Sequence, residues 1–275
     1  MSIDITDEQK RTYLTQNLWL CDKGVLKNIP ASKPTKMFYN PNFAIPETEA
    51  SCCDIHVNSK DQLTIAREMV QNGFNPVMIS LMTDEFDGKN YDTSRGFIND
   101  NINLRTNIHR HLQQSTMYPI EKNKILYCRQ VQVLRNESYD LNPNDMFRLG
   151  IILVNPVNEP RIVSCSNNIL NERDYFTTKQ TIEAIYQTAI EAGHDVLILN
   201  DFACIHNKIP IVDIIDLYNM MNLKYTAMLK YVIVCIPYDN SDDYEAYNTF
   251  NEHIIRIQDE IDSAIEPTHE DIAIN

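Results

Sequence analysis

The run Asp195-Val196-Leu197-Ile198-Leu199-Asn200-Asp201 decides the fold. Val196 to Leu199 is apolar without alternation, so both faces of the strand must be covered, which is the condition of a central strand in a parallel sheet. Just upstream, Thr178 to Ala192 carries Ile182, Ile185, Ala189 and Ile190 at helical spacing and stops at Gly193. Downstream, a second helix is predicted over Val212–Met221. It leads into Tyr231-Val232-Ile233-Val234-Cys235-Ile236-Pro237, another strand of the buried kind. Helix and buried strand alternate, which is the pattern of an α/β protein.

The alternation extends towards the N-terminus. Asp54-Ile55-His56-Val57 is a short strand, Ser59 is placed to cap a helix running through Gln71, and Gly73 stands at its C-cap. Pro76 to Leu81 follows as a buried strand, so residues 54–81 form a β-α-β unit, which favours a parallel pair. Phe97 to Gln114 has helical composition. Lys124–Cys128 and Val131–Leu134 read as strands, either bulged or a hairpin pair, and Leu149–Val154 as a further strand. Residues 1–50 are less regular and are read as an N-terminal extension packed on a domain spanning 51–256. Residues 257–275 carry six carboxylates and are read as an acidic tail.

Composition narrows the function. The 275 residues include 38 acidic and 24 basic ones, a formal charge of −14 that repels a polyphosphate backbone and argues against nucleic-acid binding. An anionic ligand must then be held by local donors such as backbone N–H groups and helix N-termini. Seven cysteines are scattered without a Cys-x-x-Cys pair, as in reduced thiols of a cytoplasmic protein. There is neither a signal-like start nor a run near the roughly 18 apolar residues of a membrane helix, so no membrane role is expected. The Asn, Ile and Lys content points to an AT-rich genome, such as that of a large DNA virus or a protist. Only six glycines occur in the chain.

Several landmarks stand in a shared order. They are Tyr118-Pro119 with Ile125–Cys128 and Val131–Arg135; Val196 to Cys204; and Val234 to Asp239 followed by Asp243-Tyr244-Glu245-Ala246-Tyr247. In order and spacing these resemble the microbial poly(ADP-ribose) glycohydrolases of the macrodomain class, over roughly residues 35–255. The resemblance implies a macrodomain-like, three-layer α/β/α fold with a mixed, mostly parallel central sheet. It also implies a cleft for ADP-ribose or a related nucleotide, bordered by Ser80, Gly96, Phe97, Asp201, Phe202, Cys204, His206 and Asn207.

The chemical motifs depart from that family. Where it has Pro-Gly-Gly-Gly-Phe, this chain has Thr93-Ser94-Arg95-Gly96-Phe97, and side chains there obstruct a diphosphate that the family holds on backbone N–H groups. Where it has Gln-Glu-Glu, the two glutamates map within Leu104, Arg105 and Thr106. Cleaving a ribose–ribose bond needs a carboxylic acid and negative charge near an oxocarbenium-like centre, and none of these three residues supplies them. After Cys204 the family's Gly-x-Phe-Gly-Asn becomes Ile205-His206-Asn207, which has no glycine. The resemblance therefore implies a catalytically degenerate relative, with ADP-ribose or an ADP-ribosylated protein as partner and neither cofactor nor metal.

Other constellations compete with that reading. Asp84 and Glu85, with Asp87, follow one buried strand and Asp201 follows another, so they share a sheet edge and are candidates for relocated catalytic carboxylates. Water-facing acidic loops are the plainer reading. His109 and His111 are expected to be exposed or capping, and Arg105 and Arg110 to pair with Asp100 or Glu85. The degenerate scaffold is also open to protein–protein contact, and a purely structural or assembly protein with no small-molecule ligand is a third reading.

Overall fold

A computed structural model of the chain describes residues 5–29, 31–45, 53–85, 97–98, 100–113, 117–163, 169–238 and 240–254. Its centre is a seven-stranded sheet of β1 (Thr35–Phe38), β2 (Asp54–Asn58), β3 (Pro76–Leu81), β4 (Lys124–Val133), β5 (Phe147–Val154), β8 (Val196–Leu199) and β9 (Tyr231–Cys235), in the order β1-β4-β5-β3-β8-β9-β2. The strands from β5 to β2 are parallel, and β4 runs antiparallel to both β1 and β5. Two residues each of β6 (Ile162–Val163) and β7 (Ile169–Leu170) form a separate ribbon.

β8 lies between β3 and β9 with every residue buried, as its unbroken apolar run requires. Alternate strand residues feed two cores. Val77, Ile79, Leu197, Leu199 and Val232 pack with Ile182 and Ile185 of α5 (Glu172–Glu191), Ile214 and Leu217 of α7 (Ile211–Tyr225) and Phe250 of α8 (Ser241–His253). Met78, Val196, Ile198 and Ile233 pack with Leu63, Ile65 and Ala66 of α2 (Gln62–Gln71), Ile102 of α3 (Asp100–Arg105) and Ile108 of α4 (Ile108–Leu112). Two cores on opposite faces of one sheet make the three layers expected.

Three expectations are corrected, and a fourth, left between two alternatives, is resolved. β2 and β3 are parallel but do not pair, because β9 and β8 lie between them. Asp61, not Ser59, caps α2, its carboxylate accepting from the N–H groups of Leu63 and Thr64 at 3.1 and 3.3 Å. The 97–114 helix is two short ones, since Thr106 bridges to Val133 and Asn107 N–H donates to Gln132 O, so sheet pairing interrupts the helical ladder. The two strand pieces at 124–134 are one strand with a bulge between Cys128 and Val131, not a hairpin. Both helix-ending glycines do close left-handed: Gly73 (φ +84°) and Gly193 (φ +76°) donate to Val70 O and Ile190 O, and the next residues to Met69 O and Ala189 O.

The first fifty residues hold a 16-residue helix, α1 (Asp7–Asp22), and the edge strand β1. Asn17 of α1 is buried and its amide donates to Leu104 O at 2.7 Å, tying α1 to α3. The five described cysteines are free and buried, with burial pushing Cys21 up to about 11 and Cys53 to about 12. Gly96, Asp87, Cys52, Cys165 and the 257–275 tail lie outside the described residues.

His109 and His111 are buried, not exposed. Burial pushes His109 down to about 4 and lowers His111, whose Nδ1 lies 3.1 Å from Ser32 O. Both folded-state values lie below the unfolded 6.5, so the unfolded chain takes up the protons first. The stability they permit is complete above pH 6.5 and is lost as pH falls towards 4. Urea unfolding at pH 7.5, 6.0 and 5.0 is expected to show a free energy that declines across the lower two; a flat profile would contradict the neutral buried imidazoles.

Candidate functional site

A cleft of about 660 Å³ opens at the carboxyl ends of β3, β8 and β9, where parallel α/β sheets bind ligands. Ser80 and Leu81 come from β3, Asn200 and Asp201 from the end of β8, and Ile236 and Pro237 from beyond β9. The start of α2 contributes Asp61 and Gln62, α3 contributes Asn101 and Ile102, and the segment around α6 (Cys204–Asn207) contributes Ile205, His206 and Lys208. Asp243, in the first turn of α8, completes the rim.

The buried Gln62 amide fixes the floor, donating to Ile79 O at 3.1 Å and to Ile198 O and Leu199 O at 3.4 Å. Beside it, Ser80 is 2% exposed and its hydroxyl has no hydrogen-bond partner among the described residues. A buried hydroxyl without a partner is uncommon in native proteins. Ser80 stands in the cleft wall with its hydroxyl oxygen turned away from solvent, so a ligand reaches it only if the wall shifts.

The loop after β8 keeps a left-handed course without glycine. Phe202 and Ala203 have φ +48° and +64°, and Lys208 closes α6 at φ +58°. Side chains hold the turn: Asn200 Oδ1 accepts from Phe202 N–H at 3.0 Å, and Asp201 Oδ2 accepts from Ile205 N–H at 2.9 Å. Each left-handed non-glycine residue costs about 1–2 kcal/mol. At Lys208, which is exposed, Lys208→Gly removes that cost while adding about 0.4–1 kcal/mol of unfolded-state entropy. A net gain of about 0.5–1 kcal/mol is expected from denaturant melts, and a loss would mean that the Lys208 side chain stabilises the rim.

Asp201 lies at the base of this loop. Burial raises its carboxyl above the usual range against the lowering effect of the Ile205 and Ala203 N–H groups, and Asp243 nearby raises it further. A carboxyl so placed is a potential proton donor.

The segment 104–106 faces inward. Leu104, Arg105 and Thr106 are all buried, and Arg105 Nη1 donates to Asp61 Oδ1 at 2.8 Å. The expected partners were Asp100 or Glu85; the carboxylate found against Arg105 is that of Asp61, and the Asp100 side chain lies outside the described residues. With Leu63 N–H, Thr64 N–H and the Thr64 hydroxyl also bonded to it, the Asp61 carboxylate is fully engaged. Arg110 reaches the N-terminal segment, donating to Leu26 O and Ile29 O at 3.3 and 3.1 Å.

The cleft gathers some of the expected residues and leaves others out. Ser80, Asp201 and His206 line it. Phe97 and Phe202 belong to the two cores, Cys204 faces a neighbouring groove, and the Asn207 amide donates to Val157 O at 3.0 Å. Asp84 and Glu85 are not among the lining residues. Asp84 accepts from Asn155 at 2.7 Å and lies 3.5 Å from Lys122 Nζ. Asp61, Gln62, Asn101 and Asp243 line the cleft without having been singled out by sequence; Asp61 was legible as a helix cap, had Ser59 not been preferred. Among the described residues no group of three or more metal-ligating side chains occurs, and no helix is long and apolar enough to cross a membrane.

No protein-family model matches the chain, and no curated protein matches it in sequence. Solved structures do. A poly(ADP-ribose) glycohydrolase from Thermomonospora curvata is similar with a TM-score of 0.68, over 90% of this chain and 99% of that one, at 12% identity. The fold is that of a poly(ADP-ribose) glycohydrolase. The same enzyme bound to the inhibitor ADP-HPD gives 0.64 over 88% and 99% at 12% identity. The glycohydrolase of Deinococcus radiodurans in complex with ADP-ribose gives 0.60, over 90% of each chain, also at 12% identity. At that identity the likeness extends to the backbone, while the cleft's side chains are this chain's own.

Proposed function

We propose that this chain is a catalytically degenerate member of the glycohydrolase-like macrodomains, whose cleft binds ADP-ribose or a related nucleotide weakly. The observation that carries the reading is the Arg105–Asp61 pair: the segment that bears the family's glutamates supplies a guanidinium bound to a helix cap. The cleft's size suits a nucleotide ligand, and the Ser80 hydroxyl, partnerless among the described residues, favours retained binding. Its charge argues for weakness. The two helix N-termini at the cleft, of α2 and α8, carry their own carboxylates in Asp61 and Asp243, which occupy or oppose the positions a diphosphate needs.

Calorimetric titration with ADP-ribose is expected to give a Kd on the order of 0.1–1 mM, weakened in Ser80→Val; no heat at millimolar ligand would remove the binding role. Incubation with poly(ADP-ribose) is expected to release no ADP-ribose. One observation favours a second reading. The raised Asp201 carboxyl facing the cleft is a possible general acid for an ADP-ribose derivative, and release that disappears in Asp201→Asn would establish it.

A further inference from the structure

The opposite edge of the sheet holds a small pocket of about 180 Å³, at the amino ends of the parallel strands. Arg129 and Gln130 reach it from the β4 bulge, Arg148 from β5, and His194 from the turn before β8. We propose that this pocket is a second anion site that takes a phosphate group, free or singly esterified, between Arg129 and Arg148.

Charge is the first support. The chain is strongly acidic, yet among the described residues neither guanidinium is paired with a carboxylate. The acid next in sequence to His194 is already engaged: Asp195 accepts from Asn75 N–H at 2.7 Å and lies 3.5 Å from Lys230 Nζ. Two unneutralised forks beside one concavity match a phosphate, whose oxygens accept from guanidinium groups in pairs.

Preorganisation is the second. Gln132, 5% exposed, donates its amide to Phe147 O at 3.0 Å and accepts from Arg148 Nε at 3.1 Å, which leaves the terminal nitrogens of Arg148 for a ligand. Gln130 has φ +56°, a strained value for a residue other than glycine, and the bulge that requires it brings Arg129 to the pocket.

The back wall is also built for purpose. His194 Nδ1 lies 3.1 Å from Asn75 O, so that nitrogen carries the proton and Nε2 accepts from Tyr127 OH at 2.7 Å. The imidazole is 7% exposed, and Gly150 makes room for it: a Cβ there would meet His194 Nε2 at 2.7 Å. One of only six glycines thus stands in mid-strand, where glycine is unfavourable, to seat this pair. Burial lowers the imidazole's basicity and Arg129 lowers it further, so the wall stays neutral and the ligand's charge is met by the arginines.

The volume admits a phosphate group and its attachment, not a whole nucleotide. The source is then either free phosphate or a phosphorylated side chain, and the two are distinguished by titrating inorganic phosphate and a phosphoserine peptide separately into the full chain at constant ionic strength. Saturable binding is expected, reported by the His194 imidazole resonances. Arg148→Gln should weaken it roughly tenfold, the worth of one charge-assisted hydrogen bond. Arg148→Lys should be intermediate, Arg129→Gln with Arg148→Gln should abolish it, and exposed Arg11→Gln should leave it unchanged. Tighter binding of the peptide identifies a side-chain phosphate, and equal binding identifies the free ion. Binding that persists in the double variant, or that excess ADP-ribose displaces, places the phosphate elsewhere and overturns the proposal. Failure of both probes to move the His194 resonances overturns it as well.

Discussion

Asp61→Ala is expected to destabilise the fold by about 3–5 kcal/mol, the usual consequence of leaving a buried charge without its partner. The Arg105 side chain is 4% exposed against 25% for Asp61, so the guanidinium is the group that loses most. Besides Asp61, its hydrogen-bond partner among the described residues is Arg135 O, at 3.4 Å from Nε. The same substitution removes the α2 cap, worth about 1 kcal/mol, though the two losses share one carboxylate and do not simply add. Arg105→Met with Asp61→Asn should recover much of the loss, because an apolar side chain fills the site and an amide retains the cap. Denaturant melts of the parent, Asp61→Asn, Arg105→Met and the double variant make the cycle, with Asp61→Ala measured beside them. A loss under about 1 kcal/mol for Asp61→Ala would show that Arg105 finds another counter-charge.

Arg135→Ala is expected to cost about 3–5 kcal/mol and to loosen α1 before anything else, since charge-assisted hydrogen bonds contribute about 1.5–3 kcal/mol each and lose additivity within a network. Arg135 is 4% exposed and donates to Asn17 Oδ1 at 3.0 Å, Tyr139 O at 2.8 Å and Gln16 Oε1 at 2.7 Å, with its guanidinium 4.7 Å over the Tyr13 ring. Tyr13 in turn stacks on Tyr139, whose hydroxyl bonds to Asn101 in the cleft. Hydrogen exchange should therefore show α1 and α3 losing protection while β8 and β9 keep theirs. Because the chain of contacts ends at Asn101, the ADP-ribose affinity proposed for the cleft should fall as well. Loss of protection spread evenly over the molecule would mean that α1 is not a separable unit.

What was legible in the sequence follows from which forces are local. β3, β8 and β9 could be read because a strand covered on both faces needs an unbroken apolar run, and Gly73 and Gly193 because a left-handed helix end selects glycine. Asp201 could be placed at the cleft because it follows such a strand directly. The break between α3 and α4 could not be read: Thr106 and Asn107 leave the helix to pair with β4, a partner distant in sequence. For the same reason Arg105 was assigned to neighbouring acids when its counter-charge is a helix cap from another layer. His109 and His111 looked exposed because polarity is local information and burial is not. The scarcity of glycine was a sound observation with a narrower meaning than it first carried, since Phe202 and Ala203 take the left-handed turn themselves.

The strand order has a consequence for how the chain is made. β2 and β3 emerge early from the ribosome, yet the two strands that separate them, β8 and β9, are among the last parts of the sheet to be synthesised. Until then β2 lacks its sheet partner and β3 keeps an open flank, the kind of unpaired edge that invites aggregation. The sheet can be completed only after translation has passed residue 235, by inserting a late hairpin-less pair into the middle of an older scaffold. Nascent chains stalled before β8 should therefore be protease-sensitive and chaperone-bound, and refolding in vitro should be slow because its decisive contacts are non-local.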